Sequence, residues 1–356
     1  MASDSPWSHS EVLAGATPDS REPALAAVSE TIHLVWNKDK VLYHAIHDGM
    51  AWSAPLKIAV GEQPALAATA DGTLHCLFAN KFLGNYEIYH VTWSGDAWSL
   101  PQPVSRTSGV STNPALAVGP DSALYAAWAD TTPGYSAIFY GKYDGTFWSS
   151  VPIPSGRGSM PSLAATPDGA LCVVWQDRIS SSNCFDIFSG TYWDGSWSVP
   201  EIVSDTPTAH SVKPRVAVNV AGKLYMVWQE QQGDVYSVRF ADRHPDGWND
   251  GIDISAAGTD NRLPAIMTNR LGYIEVVWLE GNQLRHRIRS PEDTAIWWPA
   301  ESAIDTYPGL SDLALTISGT GVVHVVVSGF VTSTHRRLFS TQREPVFKHT
   351  VFQPIS

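Results

Sequence analysis

The chain has 356 residues, of which 44% are hydrophobic and 16% are charged, so it is long and apolar enough to bury a sizeable core. Fifteen Trp, 27 Gly and 24 Pro suit many short strands and tight turns, and they exclude a helical bundle or a coiled coil. Asp and Glu outnumber Lys and Arg by 35 to 23, a net charge of −12. This argues against nucleic acid as a partner, because phosphate backbones are bound by cationic surfaces.

Seven repeated segments follow one another along the chain. Six of them start near a proline, pass through a short apolar run and a turn, and end in a second apolar run closed by Trp or Phe, as in MPSLAATPDGALCVVW. The seventh, SDLALTISGTGVVHVVV, has the same order of apolar run, turn and apolar run, but several of the shared residues are replaced. The repeat units start near residues 23, 64, 114, 161, 214, 264 and 311.

Each unit predicts four antiparallel strands. The first two runs form a hairpin, a third alternating run such as AIFYGKY follows a loop, and an Asp-Gly turn leads to a fourth run that begins Trp-Ser. Seven such units predict an all-β fold, a seven-bladed β-propeller of four-stranded antiparallel blades, as a single domain over residues 1–356. Residues 1–22 are interpreted as a closing strand and linker. In this interpretation Pro6-Trp7-Ser8 completes the last blade, and the alternative closing strand is the run from Val346 to Ile355.

The repeats resemble those of the sialidase-like propellers and their bacterial neuraminidase-type repeats. REPAL at 21–25 and RLPAI at 262–266 are similar to the Arg-Ile-Pro-x-Leu motif of that family. The Asp-Gly turns that are shortly followed by Trp are also similar to those of seven-bladed bacterial lectins that bind fucose and related sugars. Both resemblances imply the propeller architecture, and a shared fold does not transfer a function.

The hairpin geometry predicts a ring of charged and polar side chains on one face, because the start of the first strand lies beside the end of the second. Candidate catalytic groups are the carboxylates two residues past each Trp and one loop histidine: Asp130, Asp177, Glu230, Glu280 and His210. Candidate ligand-binding residues on the same face are Arg21, Asn113, Tyr135, Arg178, Lys213 and Arg262. Either each carboxylate ties neighbouring loops together, or several of these groups converge on one polar ligand in a central funnel.

Tryptophan recurs at two strand positions in the repeats, which predicts packing between blades, since each blade must bury a large flat face. Three further tryptophans, Trp93, Trp193 and Trp298, are interpreted as lining clefts between blades, where they would stack on sugar rings. Cys76, Cys172 and Cys184 lack the paired spacing of a disulfide framework or a zinc site. No metal site and no cofactor are predicted.

The leading functional hypothesis is a non-catalytic, lectin-like propeller that binds a glycan or a small polar ligand. The first alternative is an enzyme with one active site in the funnel: a glycoside hydrolase, a polysaccharide lyase or an enzyme of another small polar substrate. The second is a protein-interaction scaffold. Sialidase activity would need three arginines, for which the resemblance offers Arg21, Arg178 and Arg262, but no Tyr–Glu pair can be picked out for the nucleophile.

The chain has no run of 18 apolar residues and opens without a basic and apolar leader. We therefore expect no membrane partner, and a cytoplasmic location or leaderless secretion.

Overall fold

The structure, a computed structural model, describes residues 6–13, 19–82, 84–178, 183–291, 296–304, 307–331 and 336–345. Within these residues the regular structure is β-strand throughout, arranged in seven antiparallel sheets. No helix of the described chain has the length and apolarity needed to cross a membrane. The predicted all-β, seven-bladed propeller is confirmed.

The chain begins with β1 (Glu11–Val12) and then builds the blades in sequence order, from the innermost strand outward. Blade 1 consists of β2 (Arg21–Val28), β3 (Thr31–Lys38), β4 (Val41–His47) and β5 (Leu56–Val60). Blade 2 consists of β6 (Glu62–Ala68), β7 (Leu74–Lys81), β8 (Tyr86–Trp93) and β9 (Gln102–Pro103). Blade 3 consists of β10 (Ser111–Val118), β11 (Leu124–Asp130), β12 (Ala137–Tyr143) and β13 (Trp148–Arg157).

In blades 4 and 5 the outer strand is divided into two short segments that pair with the same third strand. Blade 4 consists of β14 (Ser159–Ala165), β15 (Leu171–Arg178), β16 (Phe185–Trp193), β17 (Ser196–Trp197) and β18 (Glu201–Ile202). Blade 5 consists of β19 (Ser211–Val218), β20 (Leu224–Gln232), β21 (Val235–His244), β22 (Gly247–Trp248) and β23 (Ile252–Asp253). Blade 6 consists of β24 (Asn261–Thr268), β25 (Ile274–Glu280), β26 (Gln283–Arg289) and β27 (Glu301–Ser302).

Blade 7 contains strands from the N-terminal and the C-terminal segments of the chain. The N-terminal segment closes the ring, as predicted. Its inner strands are β28 (Asp312–Ile317), β29 (Val323–Phe330) and β30 (Arg336–Arg343). Strand β1 pairs antiparallel with β30, and Trp7 forms a bridge with Arg343 further along the same edge. The alternative closing run from Val346 to Ile355 lies outside the described residues.

A separate hydrophobic core lies between each pair of neighbouring blades, including one between blades 7 and 1. The tryptophans that end the second runs are fully buried there: Trp36, Trp128, Trp175, Trp228 and Trp278. Packing between blades, as predicted from their recurrence, is confirmed for these residues. Cys76 and Cys172 are likewise buried in β7 and β15.

The innermost strands of blades 1 to 6 share a β-bulge at the start of the strand. In each, the residue before the repeat proline, or before its equivalent, has a positive φ between 52° and 56°: Glu22, Gln63, Asn113, Met160, Lys213 and Leu263. A non-glycine residue costs free energy in this conformation, and a following proline disfavours the helical alternatives as well. The bulge is therefore a built feature of the repeat, and in blades 2, 3, 5 and 6 the N–H of the bulge residue donates a hydrogen bond to the preceding blade.

Candidate functional site

One face of the ring carries the starts of the innermost strands and the ends of the second strands, and we call it the front face. The ladders confirm this neighbourhood: Ser111 pairs with Asp130, and Asn261 pairs with Glu280. The turns between the first and second strands lie on the opposite, back face. The predicted catalytic and ligand-binding residues therefore all belong to segments that meet on the front face.

The carboxylate of Asp130 is 0% exposed and is enclosed by its own blade. It accepts hydrogen bonds from the Ser111 hydroxyl at 2.7 Å, the Thr107 hydroxyl at 2.9 Å and the Thr132 backbone N–H at 2.7 Å. Three donors satisfy a buried carboxylate well and hold the loops before β10 and after β11 together. Asp130 therefore follows the first of the two alternatives given above, in which a carboxylate ties neighbouring loops together.

Glu230 and Glu280 are each paired with an arginine from the third strand of the same blade. Glu230 lies 3.1 Å from Arg239 and also accepts a hydrogen bond from the Trp228 indole at 3.3 Å. Glu280 lies 3.2 Å from Arg285. Their charges are thus balanced within their own blade.

Asp177 has a different environment from these three carboxylates. The backbone N–H of Arg178 lies close enough to favour its charged form. Burial raises the pKa of the Asp177 carboxyl above its usual range, while the Arg178 N–H and the positive charge of Arg157 oppose that rise. A half-buried carboxyl with a raised pKa on an open face is the kind of group that serves proton transfer.

Tyr135 and Arg157 are brought next to Asp177 by the connection between blades 3 and 4. The Arg157 guanidinium stacks 4.6 Å above the Tyr135 ring. The next residue, Gly158, donates its N–H to the Ser136 carbonyl at 2.9 Å. A Cβ at Gly158 would lie 2.4 Å from the Gln176 carbonyl and 3.2 Å from the Asp177 Cβ. Close backbone packing thus assembles Tyr135, Arg157 and Asp177.

A second stack lies in blade 4, where the Arg178 guanidinium is 4.7 Å above the Phe185 ring. Arg178 also donates to the Asn183 side-chain oxygen at 3.4 Å. His210 accepts the Phe185 backbone N–H on Nδ1 at 3.1 Å, so its Nε2 carries the proton in the neutral ring. The predicted residues Arg178 and His210 therefore both contact Phe185. Phe185 itself was not predicted from the sequence.

The third stack, Arg262 over Tyr236 at 5.7 Å, connects blades 5 and 6. Arg262 is also paired with Asp260 at 2.6 Å. Lys213 lies beside it, and both line a cavity of about 210 Å³ with Leu279 and Leu310. Lys213 and Arg262 are thus two predicted ligand-binding residues that the fold does bring together.

A fourth stack in blade 7, Arg336 over Phe330 at 4.5 Å, is half-buried. The other three arginines are exposed on the front face. A guanidinium that is already fixed on an aromatic plane keeps its N–H edge free for two parallel hydrogen bonds to a carboxylate or sulfate. The exposed stacks of Arg157, Arg178 and Arg262 thus lie along the front face of blades 3 to 6, and the Arg262 guanidinium is also engaged by Asp260.

The other predicted residues have separate environments. Arg21 is exposed at the start of β2, and the Asn113 backbone N–H donates to the Gln63 side chain at 2.8 Å. Trp93 is 7% exposed and contacts the ring of His44 in blade 1. Trp193 and Trp298 are 54% and 36% exposed. In the described residues, no group of three His, Cys, Asp or Glu side chains is arranged to hold a metal ion.

Comparison with known proteins shows a similarity of fold but no similarity of sequence family. No family model matches this sequence. No curated protein sequence matches it either. Solved structures do match over nearly the whole chain. An ulvan lyase, a polysaccharide lyase bound to a glucuronate-containing oligosaccharide, has a TM-score of 0.64 at 11% identity, covering 91% of this chain and 94% of its own.

Two other glycan-processing proteins have the same architecture. A Hadza microbial sialidase has a TM-score of 0.53 at 12% identity, covering 89% of this chain and 74% of its own. An α-L-arabinofuranosidase from Fusarium graminearum has a TM-score of 0.53 at 14% identity, covering 92% and 98%. The chain thus has the sialidase-type propeller fold. At these identities the likeness does not assign a reaction or a ligand.

Proposed function

We propose that this protein binds an acidic glycan in one asymmetric site on the front face. The observation that carries the proposal is the row of arginine–aromatic stacks in blades 3 to 6, Arg157 on Tyr135, Arg178 on Phe185 and Arg262 on Tyr236. Uronate carboxylates and sulfate esters are planar or compact oxyanions that match a fixed guanidinium edge. Aromatic rings beside the guanidinium groups suit the apolar faces of sugar rings.

The distribution of aromatic residues supports one site rather than repeated sites. The recurring tryptophans of the second strands are buried between blades and are not available to a ligand. The structural neighbours that act on glycans, among them the ulvan lyase with its bound glucuronate-containing oligosaccharide, support a sugar as the ligand. Of the two locations considered for a lectin-like site, the clefts between blades and the front-face funnel, this favours the front face.

The test is a binding measurement with two matched polymers, polygalacturonate and neutral dextran, on the wild type and two variants. The triple variant Arg157→Gln, Arg178→Gln and Arg262→Gln should bind polygalacturonate at least about tenfold more weakly, because charge-assisted hydrogen bonds are lost. Arg270→Gln is the control, since Arg270 is an exposed arginine on the back face. Affinity should also fall with added salt. Equal affinity in the triple variant and the wild type would refute the proposal.

A second candidate function, catalysis by proton transfer at Asp177, is favoured by one observation. The pKa of the Asp177 carboxyl is raised by burial, whereas Asp130 is held by three hydrogen-bond donors and Glu230 and Glu280 are each paired with an arginine. Glycoside hydrolysis and uronate elimination both need such a group. The test is product formation from polygalacturonate, measured as new reducing ends and as absorbance of an unsaturated uronate. Asp177→Asn should abolish it, while Asp205→Asn, at an exposed carboxylate, should not.

A further inference from the structure

Arg215 occupies a position where every other blade has a small residue. It lies on the innermost strand of blade 5, opposite Val227 in the ladder. The residues at the same ladder position of the other blades are Ala24, Ala65, Ala115, Ser162, Ala265 and Ala314. The innermost strands converge around the central channel, so small residues are expected there. A single arginine in this ring requires a different explanation from packing.

Arg215 lines a cavity of about 190 Å³ at the front mouth of the channel. Three repeat prolines, Pro23, Pro64 and Pro264, contribute to its wall. Arg215 donates one hydrogen bond, from Nη1 to the Pro214 carbonyl at 2.9 Å. Among the described residues no carboxylate lies within ion-pair distance of its guanidinium, and its other N–H groups make no hydrogen bond.

Lys213 adds a second cation to the same cavity. It lines both the channel-mouth cavity and the adjoining one that contains Arg262. Within the described chain its ammonium group makes no hydrogen bond or ion pair. Burial lowers the pKa of Lys213, and the positive charges of Arg215 and Arg262 lower it further, although Asp312 opposes this. The folded protein thus holds neighbouring cations that repel one another.

The two carboxylates at this mouth are committed to other partners. Glu22 accepts the Gln63 backbone N–H at 2.7 Å and the Asn37 amide at 3.1 Å. Asp312 accepts the Ser311 hydroxyl at 2.7 Å and lies 3.9 Å from Arg336. They reduce the net charge of the cavity without occupying the donors of Arg215 and Lys213.

We propose that the channel mouth binds a small oxyanion, a carboxylate or a sulfate, between the Arg215 guanidinium and the Lys213 ammonium. An anion there would supply the acceptors that these donors lack and would screen the repulsion between the cations. The group has two possible sources: a free small anion, or a charged substituent of the glycan bound along the adjacent row of stacks. Only the second source rests on the proposed function.

The experiment measures binding of sodium glucuronate and sodium sulfate by calorimetry, at constant ionic strength set with sodium chloride. The variant is Arg215→Ala, which installs the residue that five other blades carry and should therefore fold. We expect at least about tenfold weaker binding than in the wild type, with Lys213→Gln giving a similar loss. Arg270→Gln on the back face should bind as the wild type does. A melting temperature of the Arg215→Ala protein in chloride at or above that of the wild type would show that the fold is intact.

Polygalacturonate binding by the same variants separates the two sources. If Arg215→Ala weakens both the small anions and the polymer, the site holds a glycan substituent. If it weakens only the small anions, the site is independent and the proposal stands even where the glycan proposal fails. Unchanged binding of glucuronate and sulfate by the folded Arg215→Ala protein, or no binding of either by the wild type, would overturn it.

Discussion

Glu22 in blade 1 accepts a hydrogen bond from the backbone N–H of Gln63 in blade 2, with 2.7 Å between Oε2 and N. The Gln63 side chain in turn accepts the Asn113 N–H of blade 3 at 2.8 Å. Between later blades the acceptor is the residue after the buried Trp: Gln176 binds the Lys213 N–H and Gln229 binds the Leu263 N–H, both at 2.8 Å. The donors are the bulge residues of the innermost strands, so each such bond ties one blade to the next at the channel.

The bond from Leu263 to Gln229 should make a measurable contribution to stability. Gln229 is 3% exposed, so Gln229→Ala leaves the Leu263 N–H without this acceptor in a buried place. We expect the free energy of unfolding to fall by about 1–3 kcal/mol, measured by urea denaturation. Gln102→Ala, at an exposed position of β9, is the control and should change it by less than about 0.5 kcal/mol. Equal effects of the two substitutions would contradict a role for the inter-blade bond.

Two buried histidine pairs predict a loss of stability in acid. In blade 1 the His33 Nδ1 lies 3.0 Å from the His44 Nε2, and the Trp98 indole N–H donates to the His44 Nδ1 at 3.2 Å. Because an indole nitrogen only donates, the His44 Nδ1 must be an acceptor and its Nε2 carries the proton. Blade 2 repeats the arrangement with His75, His90 and Trp148. Both pairs are therefore built for neutral rings.

Burial lowers the pKa of His33 to about 4 and, together with the charge of His33, lowers that of His44 to about 3. The unfolded chain takes up protons near pH 6.5 that the folded protein takes up only at lower pH. This part of the stability is fully present above about pH 6.5 and is lost as the pH falls toward 4.

The double variant His33→Tyr and His44→Tyr tests this pH dependence. It copies Tyr125 and Tyr140, which are stacked at the equivalent positions of blade 3. Its free energy of unfolding, measured between pH 7 and 4, should fall less steeply than that of the wild type. His9→Asn, at an exposed histidine, is the control. A double variant with the slope of the wild type would show that the pair does not cause the acid sensitivity.

Gly158 should be necessary for the arrangement of Tyr135, Arg157 and Asp177. Its φ is +135°, and a Cβ would lie 2.4 Å from the Gln176 carbonyl and 2.5 Å from the Trp175 ring. Gly158→Ala must therefore displace the backbone beside Arg157. Gly145→Ala is a matched control with a φ of +97° and no atom within 4 Å of the new methyl group. We expect a lower melting temperature and weaker polygalacturonate binding for Gly158→Ala than for Gly145→Ala; a similar effect of both would mean that backbone conformation alone matters.

Closure of the ring should depend on Trp7. Its side chain is 6% exposed and meets the His286 ring edge-on at 5.0 Å between blades 7 and 6. Trp7→Ala should lower the free energy of unfolding by about 3–5 kcal/mol. Trp193→Ala removes a tryptophan that is 54% exposed and should have a much smaller effect. If the two substitutions were equally damaging or equally harmless, the N-terminal segment would not be a stabilising part of blade 7.

The repeat pattern determined the architecture because strand alternation and turn residues are local properties of the chain. Seven copies of one pattern predicted seven blades, the buried tryptophans and the closing N-terminal strand. The same pattern predicted that strand starts and ends share a face, since this follows from antiparallel pairing.

The state of each charged group on that face was decided only by the tertiary structure. Asp130 and Asp177 occupy the same place in their repeats, yet one is enclosed by three donors and the other is left with a raised pKa. Their partners come from loops that differ between blades and have no repeat pattern. Arg215 did have a sequence signal, KPRVAV where the first four repeats have PALA or PSLA, but its significance emerges only when the seven innermost strands surround one channel. Spacing along a chain fixes which residues share a strand and a face, whereas protonation and binding depend on distances between residues that are remote in sequence.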